Sequence, residues 1–146
     1  MLMKDGTIVP GKGIYPFVIG MLREALIALL DDEYNIENRM DGTFVLSVKN
    51  AKFFFNKGDR LYQIGVTQGF EGKFEGNIGI GNTLTDILKA YEGYFEEYDM
   101  YMIKGVDNLS FELGDTDDEE EWNELEAPIE WIWVYDMSIK WMGLPM

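Results

Sequence analysis

The chain repeats its own order of signals, and that repetition limits its fold more than any single motif. Ile19-Gly20 matches Ile80-Gly81, and Leu26, Ile27 and Leu30 match Ile87, Leu88 and Tyr91, each pair 61 residues apart. Val48, Phe53 and Phe55 match Val106, Phe111 and Leu113 at a separation of 58, and Ile64 and Val66 match Ile132 and Val134 at 68. Such self-similarity requires one supersecondary unit to be built twice, each copy burying the apolar face that the other cannot bury alone.

Each copy reads as a short lead-in strand, a glycine, a helix and then strands. Thr83 followed by Asp86 is placed to cap the second helix, and an acid in the first turn suits the helix dipole. In the first copy Leu22, Leu26, Leu29 and Leu30 follow helical spacing and read as a core stripe. The β-rich runs are "TFVLSV", "KFFF" and "RLYQIGV", with Asp41-Gly42 as a turn before them, then "YMIKGV", "LSFEL" and "IEWIWVY". Two α-β-β-β units predict an α+β protein: two tandem helix-plus-antiparallel-strand repeats forming one mostly antiparallel sheet, with the helices on one face. The 146 residues fit a single domain, with repeat one at about 14–67, repeat two at about 75–136 and a C-terminal tail at 137–146.

The copies differ where the change in offset falls. Copy one turns with "NKGDR", whereas copy two carries "GDTDDEEEWNELEAP", a connection ten residues longer with eight carboxylates and no basic residue from Asp115 to Glu126. Loops of this length tend to be functional or disordered. The following strand also departs. With Ile64 and Val66 set against Ile132 and Val134, the opposite face carries Gln63, Gly65 and Thr67 in one copy and Trp131, Trp133 and Tyr135 in the other. A polar face has become aromatic, to be covered by the tail "MSIKWMGLPM" or by a partner.

Charge follows the same asymmetry. Residues 1–70 hold eight acidic and eight basic side chains, and residues 71–146 hold nineteen acidic and four basic, so the net charge of −15 lies entirely in the second half. That field repels nucleic acid and anionic membrane and speeds encounter with a basic protein. The chain has neither cysteine nor histidine, which removes the thiol nucleophile, the commonest general base and the commonest metal ligand. The N-terminal "MLMKDGTIVPGKG" has no apolar core of signal-peptide length, and the chain reads as cytoplasmic.

Local motifs do not survive inspection. "GTIVPGK", Gly6 to Lys12, starts like a phosphate-binding loop, but Gly13 stands where a magnesium-holding hydroxyl is needed and Pro10 removes an amide, so a turn is expected. Asp115, Asp117 and Glu119 alternate like the start of a calcium loop, but Glu120 occupies the obligatory glycine position. Pairs such as Glu96/Glu97 or Glu124/Glu126 fit a solvated face, and Ser47, Ser110 and Ser138 have no histidine to activate them. No catalytic residue, metal site or cofactor is expected.

The repeated "IG" with its capped helix and antiparallel strands resembles the two-repeat layout of the β-lactamase inhibitor protein family and, copy by copy, the small lipoprotein of the outer-membrane β-barrel assembly machinery. As a small, very acidic α+β chain it also resembles immunity proteins of bacterial polymorphic or contact-dependent toxin systems, in which an acidic surface blocks a basic nuclease. That resemblance implies a non-enzymatic toxin inhibitor. Its partner-binding residues would be Asp115, Asp117, Asp118, Glu119, Glu120, Glu121 and Glu124 for steering, with Trp122, Trp131, Trp133 and Tyr135 as anchors. The alternative is a homodimer that buries Trp131, Trp133 and Tyr135 against a second copy.

Overall fold

Ile19-Gly20 and Ile80-Gly81 each set glycine at positive φ, 96° and 91°, just ahead of a helix. A residue with a Cβ is strained there. Each glycine amide then donates to the first carbonyl of a long strand, Gly20 to Leu61 at 2.7 Å and Gly81 to Ile129 at 2.9 Å. The computed structural model describes residues 6–31, 33–114 and 123–141.

Ahead of the first glycine, β1 (Ile8–Val9), β2 (Gly13–Ile14) and β3 (Phe17–Val18) form a small antiparallel sheet, and β8 (Lys73–Phe74) pairs with β9 (Ile78–Gly79) ahead of the second. "GTIVPGK" is the β1–β2 hairpin, closed by Lys12 donating to the Val9 carbonyl at 2.9 Å. Both helices are short: α1 spans Arg23–Leu29 and α2 spans Leu84–Ala90. Thr83 and Asp86 form the expected capping box, and hydrogen bonds from the Asn82 side chain and the Thr83 backbone hold the Asp86 carboxyl below its ordinary pKa. Leu22, at the corresponding position of α1, offers no side-chain cap.

Each helix leads into four strands rather than three. β4 (Asn35–Asn38), β5 (Phe44–Val48), β6 (Ala51–Phe55) and β7 (Leu61–Val66) follow α1, and β10 (Tyr94–Glu97), β11 (Met100–Ile103), β12 (Leu109–Leu113) and β13 (Ile129–Tyr135) follow α2. They join in one antiparallel sheet ordered β10-β11-β12-β13-β7-β6-β5-β4, so the last strand of each set meets its counterpart at the centre. The extra strands β4 and β10 are the two edges. Register shifts fall between Phe54 and Phe55 and between Glu112 and Leu113, at positions 58 residues apart. Phe53 faces Ile64 and Phe111 faces Ile132. The Val48–Val106 match fails, because Val48 closes β5 whereas Val106 lies in the turn after β11.

One face of the sheet carries the core. Leu26 of α1 and Leu84 and Ile87 of α2 pack with Phe17, Phe53, Phe55, Phe111, Ile64, Val66, Ile132 and Val134. Burial of each large ring or branched chain contributes about 1.5–3 kcal/mol. The leucine stripe is narrower than its spacing suggests: Leu26 is fully buried and Leu30 partly so, while Leu22 and Leu29 are exposed. A helix of two turns has room for little more. The expectation of helices on one face holds for α1 and α2 only. A third helix, α3 (Met137–Lys140), packs on the opposite face, where Ile139 meets Val45, Phe54 and Tyr62.

Candidate functional site

That opposite face is built around β13. Period-two alternation sends Ile132 and Val134 into the core and leaves Trp131, Trp133 and Tyr135 outside, half-buried. Trp133 lies opposite Gly65 of β7, and a Cβ on Gly65 would clash with the six-membered ring of its indole, most closely at Cζ3 and Cε3. Glycine therefore gives the indole room to lie against the neighbouring strand. In that pose Trp133 stacks on Trp131, with centroids 5.0 Å apart and planes 11° apart, and meets Phe54 edge-on at 5.8 Å. Phe54 in turn meets Tyr62 at 6.2 Å, which completes a line of rings across the centre of the sheet. The Trp133 Nε1 is buried without a hydrogen-bond partner among the described residues, a cost of about 1–3 kcal/mol.

The chain's own cations cover part of this line. Lys52 stands over Trp131 at 5.3 Å, Arg39 over Phe54 at 5.1 Å and Lys140 over Tyr62 at 5.6 Å. The start of the tail seals the Phe54–Tyr62 end through α3, which Asn56 holds by donating from Nδ2 to the Ile139 carbonyl at 2.7 Å. Trp141 remains 60% exposed.

Beside the rings, on the second half of the sheet, the outer face sinks into a cleft of about 420 Å³. Its lining comprises Trp133, Tyr135 and Gln63 on one side, Met100, Met102, Ser110 and Glu112 on the floor, and Glu97, Tyr98 and Met137 at the rim. Glu112 is set opposite Trp131 across β12 and β13, and Glu97 opposite Met100 at the end of the β10–β11 hairpin. Sequence reasoning had Trp133 and Tyr135 but missed the β10–β11–β12 side. The available signal was "YFEEYDMYM", whose alternation places Phe95, Glu97, Met100 and Met102 together on one face once Tyr98 and Asp99 are read as the turn.

Glu124, grouped with the tryptophans in the sequence, belongs to the other face. It accepts hydrogen bonds from the hydroxyls of Tyr94 at 2.8 Å and Tyr101 at 3.0 Å, and Tyr101 is part of the core. Accepting from Tyr94 is the main reason that phenol is held above its ordinary pKa. For Tyr101 burial is the larger cause, followed by donation to Glu124. With Thr85 donating to the Leu125 carbonyl at 2.9 Å, the returning end of the acidic connection is fastened to α2 and the sheet. Its outgoing end leaves from Gly114, whose amide donates to Pro128 at 2.8 Å. Asp115, Asp117, Asp118, Glu119, Glu120, Glu121 and Trp122 lie outside the described residues. Among the described residues, no group of carboxylates is arranged to hold a metal ion, and no helix is long and apolar enough to cross a membrane.

No family model matches the sequence, and no curated protein does. The structure is similar to the crystal structure of the uncharacterized protein yfeY from Escherichia coli, with a TM-score of 0.59 and 14% identity over 89% of this chain and 100% of that one. At that identity the likeness speaks to the fold.

Proposed function

We propose that this chain is a non-enzymatic binding protein whose outer sheet face and acidic connection receive a basic protein partner, in the manner of a bacterial immunity protein that neutralises a nuclease toxin in the cytoplasm. One observation carries the reading: the half-buried Trp131–Trp133 stack adjoins a cleft whose charged lining residues, among the described residues, are Glu97 and Glu112. Aromatic anchors beside carboxylates suit a cationic surface, the rings supplying contact energy and the acids supplying encounter rate. The excess of acid in residues 71–146 adds a field of the same sign. We read the chain as two tandem copies, of which the second acquired the binding features and the first kept a polar face.

The test is association with a captured basic partner. Converting Asp117, Asp118, Glu119, Glu120 and Glu121 to their amides should lower the association rate about tenfold or more at low salt and flatten its salt dependence. Unchanged rate and salt slope would reject the reading. A tight dimer in sedimentation, with the tryptophan face sealed by a second copy, would replace it.

A further inference from the structure

We propose that the cleft on the outer face holds one arginine side chain of the basic partner, an inference that rests on the partner reading above. The face itself shows the pattern. Phe54, Trp131 and Tyr62 each carry a cation from this chain, at 5.1, 5.3 and 5.6 Å. In the cleft the rings are Trp133, Tyr135 and, at the rim, Tyr98, and the charges are Glu97 and Glu112, yet among the described residues no lysine or arginine lines it. Rings and carboxylates converge there, with no cation of the described residues beside them.

Arginine fits better than lysine because its planar guanidinium stacks on an aromatic face while donating in-plane to a carboxylate, which a compact ammonium does not do. Its methylene stem needs an apolar wall, which the thioethers of Met100 and Met102 supply. A volume of about 420 Å³ admits one long side chain and the backbone beside it, near the small end of ligand pockets at roughly 300–1,000 Å³.

The experiment uses the full chain with isotope-labelled methionine methyls, titrated with the peptide acetyl-Gly-Arg-Gly-amide and with its citrulline counterpart, which keeps the shape and removes the charge. The Met100 and Met102 methyls should shift and saturate with the arginine peptide, more weakly as salt rises, and stay in place with citrulline. Glu112→Gln should weaken binding roughly three- to tenfold while leaving the unliganded methyl spectrum unchanged. Equal shifts from the citrulline peptide, or shifts confined to methionines away from the cleft such as Met21 and Met40, would overturn the assignment. A basic protein that binds with steep salt dependence, yet dissociates at the same rate from Glu97→Gln and Glu112→Gln chains, would also overturn it and leave the partner reading standing. Peptide in the cleft with no effect from amidating Asp117 to Glu121 on association would do the reverse.

Discussion

Gly65→Ala should destabilise the protein although it improves the local strand. The backbone at Gly65 does not need positive φ, and alanine in place of a strand glycine is worth about 0.5–1 kcal/mol in favour of folding. Against that, the new Cβ would occupy the Trp133 ring position and push the indole off β7. The stack on Trp131 and the edge contact with Phe54 would then be lost. At about 0.5–1.5 kcal/mol for each ring pair, the loss is roughly 1–3 kcal/mol, and the net change is a destabilisation centred on about 1 kcal/mol and reaching about 2.5 kcal/mol. For a chain of this length that lowers Tm by roughly 3 °C, and by about 8 °C at the upper end. Circular dichroism reads both quantities, Tm from the thermal transition and the stacked pair from its tryptophan exciton signal, which should collapse. The decisive arm is the double-mutant cycle. With Trp133→Ala already present nothing stands over residue 65, so Gly65→Ala should raise Tm. If it lowers Tm in both backgrounds, or if the exciton signal persists in the single variant, the indole does not rest on Gly65 and the account of this face fails.

Thr83→Ala, which removes the cap of α2, should cost about 1 kcal/mol, while Leu22→Thr at the uncapped α1 should gain about 0.5–1 kcal/mol, both read by denaturant midpoints. Because the Asp86 carboxyl titrates below its unfolded value, the stability it contributes is present above pH ~4 and is lost as pH falls through its folded pKa. An Asn82→Ala chain, which loses the hydrogen bond that lowers this pKa most, should show a flatter acid limb. Tyr94 and Tyr101 behave oppositely: their contribution is whole below pH ~10 and declines as pH rises through their raised folded values. Glu124→Gln should bring the Tyr94 titration back toward pH ~10 in an ultraviolet titration, and an unmoved curve would show that Glu124 is not its acceptor. Asn56→Ala should release α3, raising solvent quenching of the tryptophan fluorescence and costing about 1–3 kcal/mol.

The sequence made parts of this fold readable for identifiable reasons. Long β-branched and aromatic runs such as "IEWIWVY" declared both the strand and its two faces, and Thr83 with Asp86 declared the helix start, because those signals act within a few residues. The edge strands β4 and β10 were unreadable because "NIEN" and "YFEE" are short and polar. The β10–β11 turn is made by Tyr98 and Asp99 at positive φ rather than by a glycine pair. The candidate site divides along the same line. Trp133 was legible from alternation, but its dependence on Gly65, the descent of Glu124 to Tyr94 and Tyr101, and the cleft floor of Met100 and Met102 all depend on strand pairing over long sequence separations, which local pattern does not encode.

The central pairing of β13 with β7 carries a local two-fold symmetry. Trp133 sits opposite Gly65, 68 residues away, with Ile132 opposite Val66 and Val134 opposite Ile64. A two-fold axis through the Gly65–Trp133 pair therefore exchanges each β-branched residue with its own counterpart, as in the interface of a symmetric homodimer. Trp133 lying over Gly65 is a contact that two identical subunits could not make, since each would have needed to be both the ring and the space beneath it.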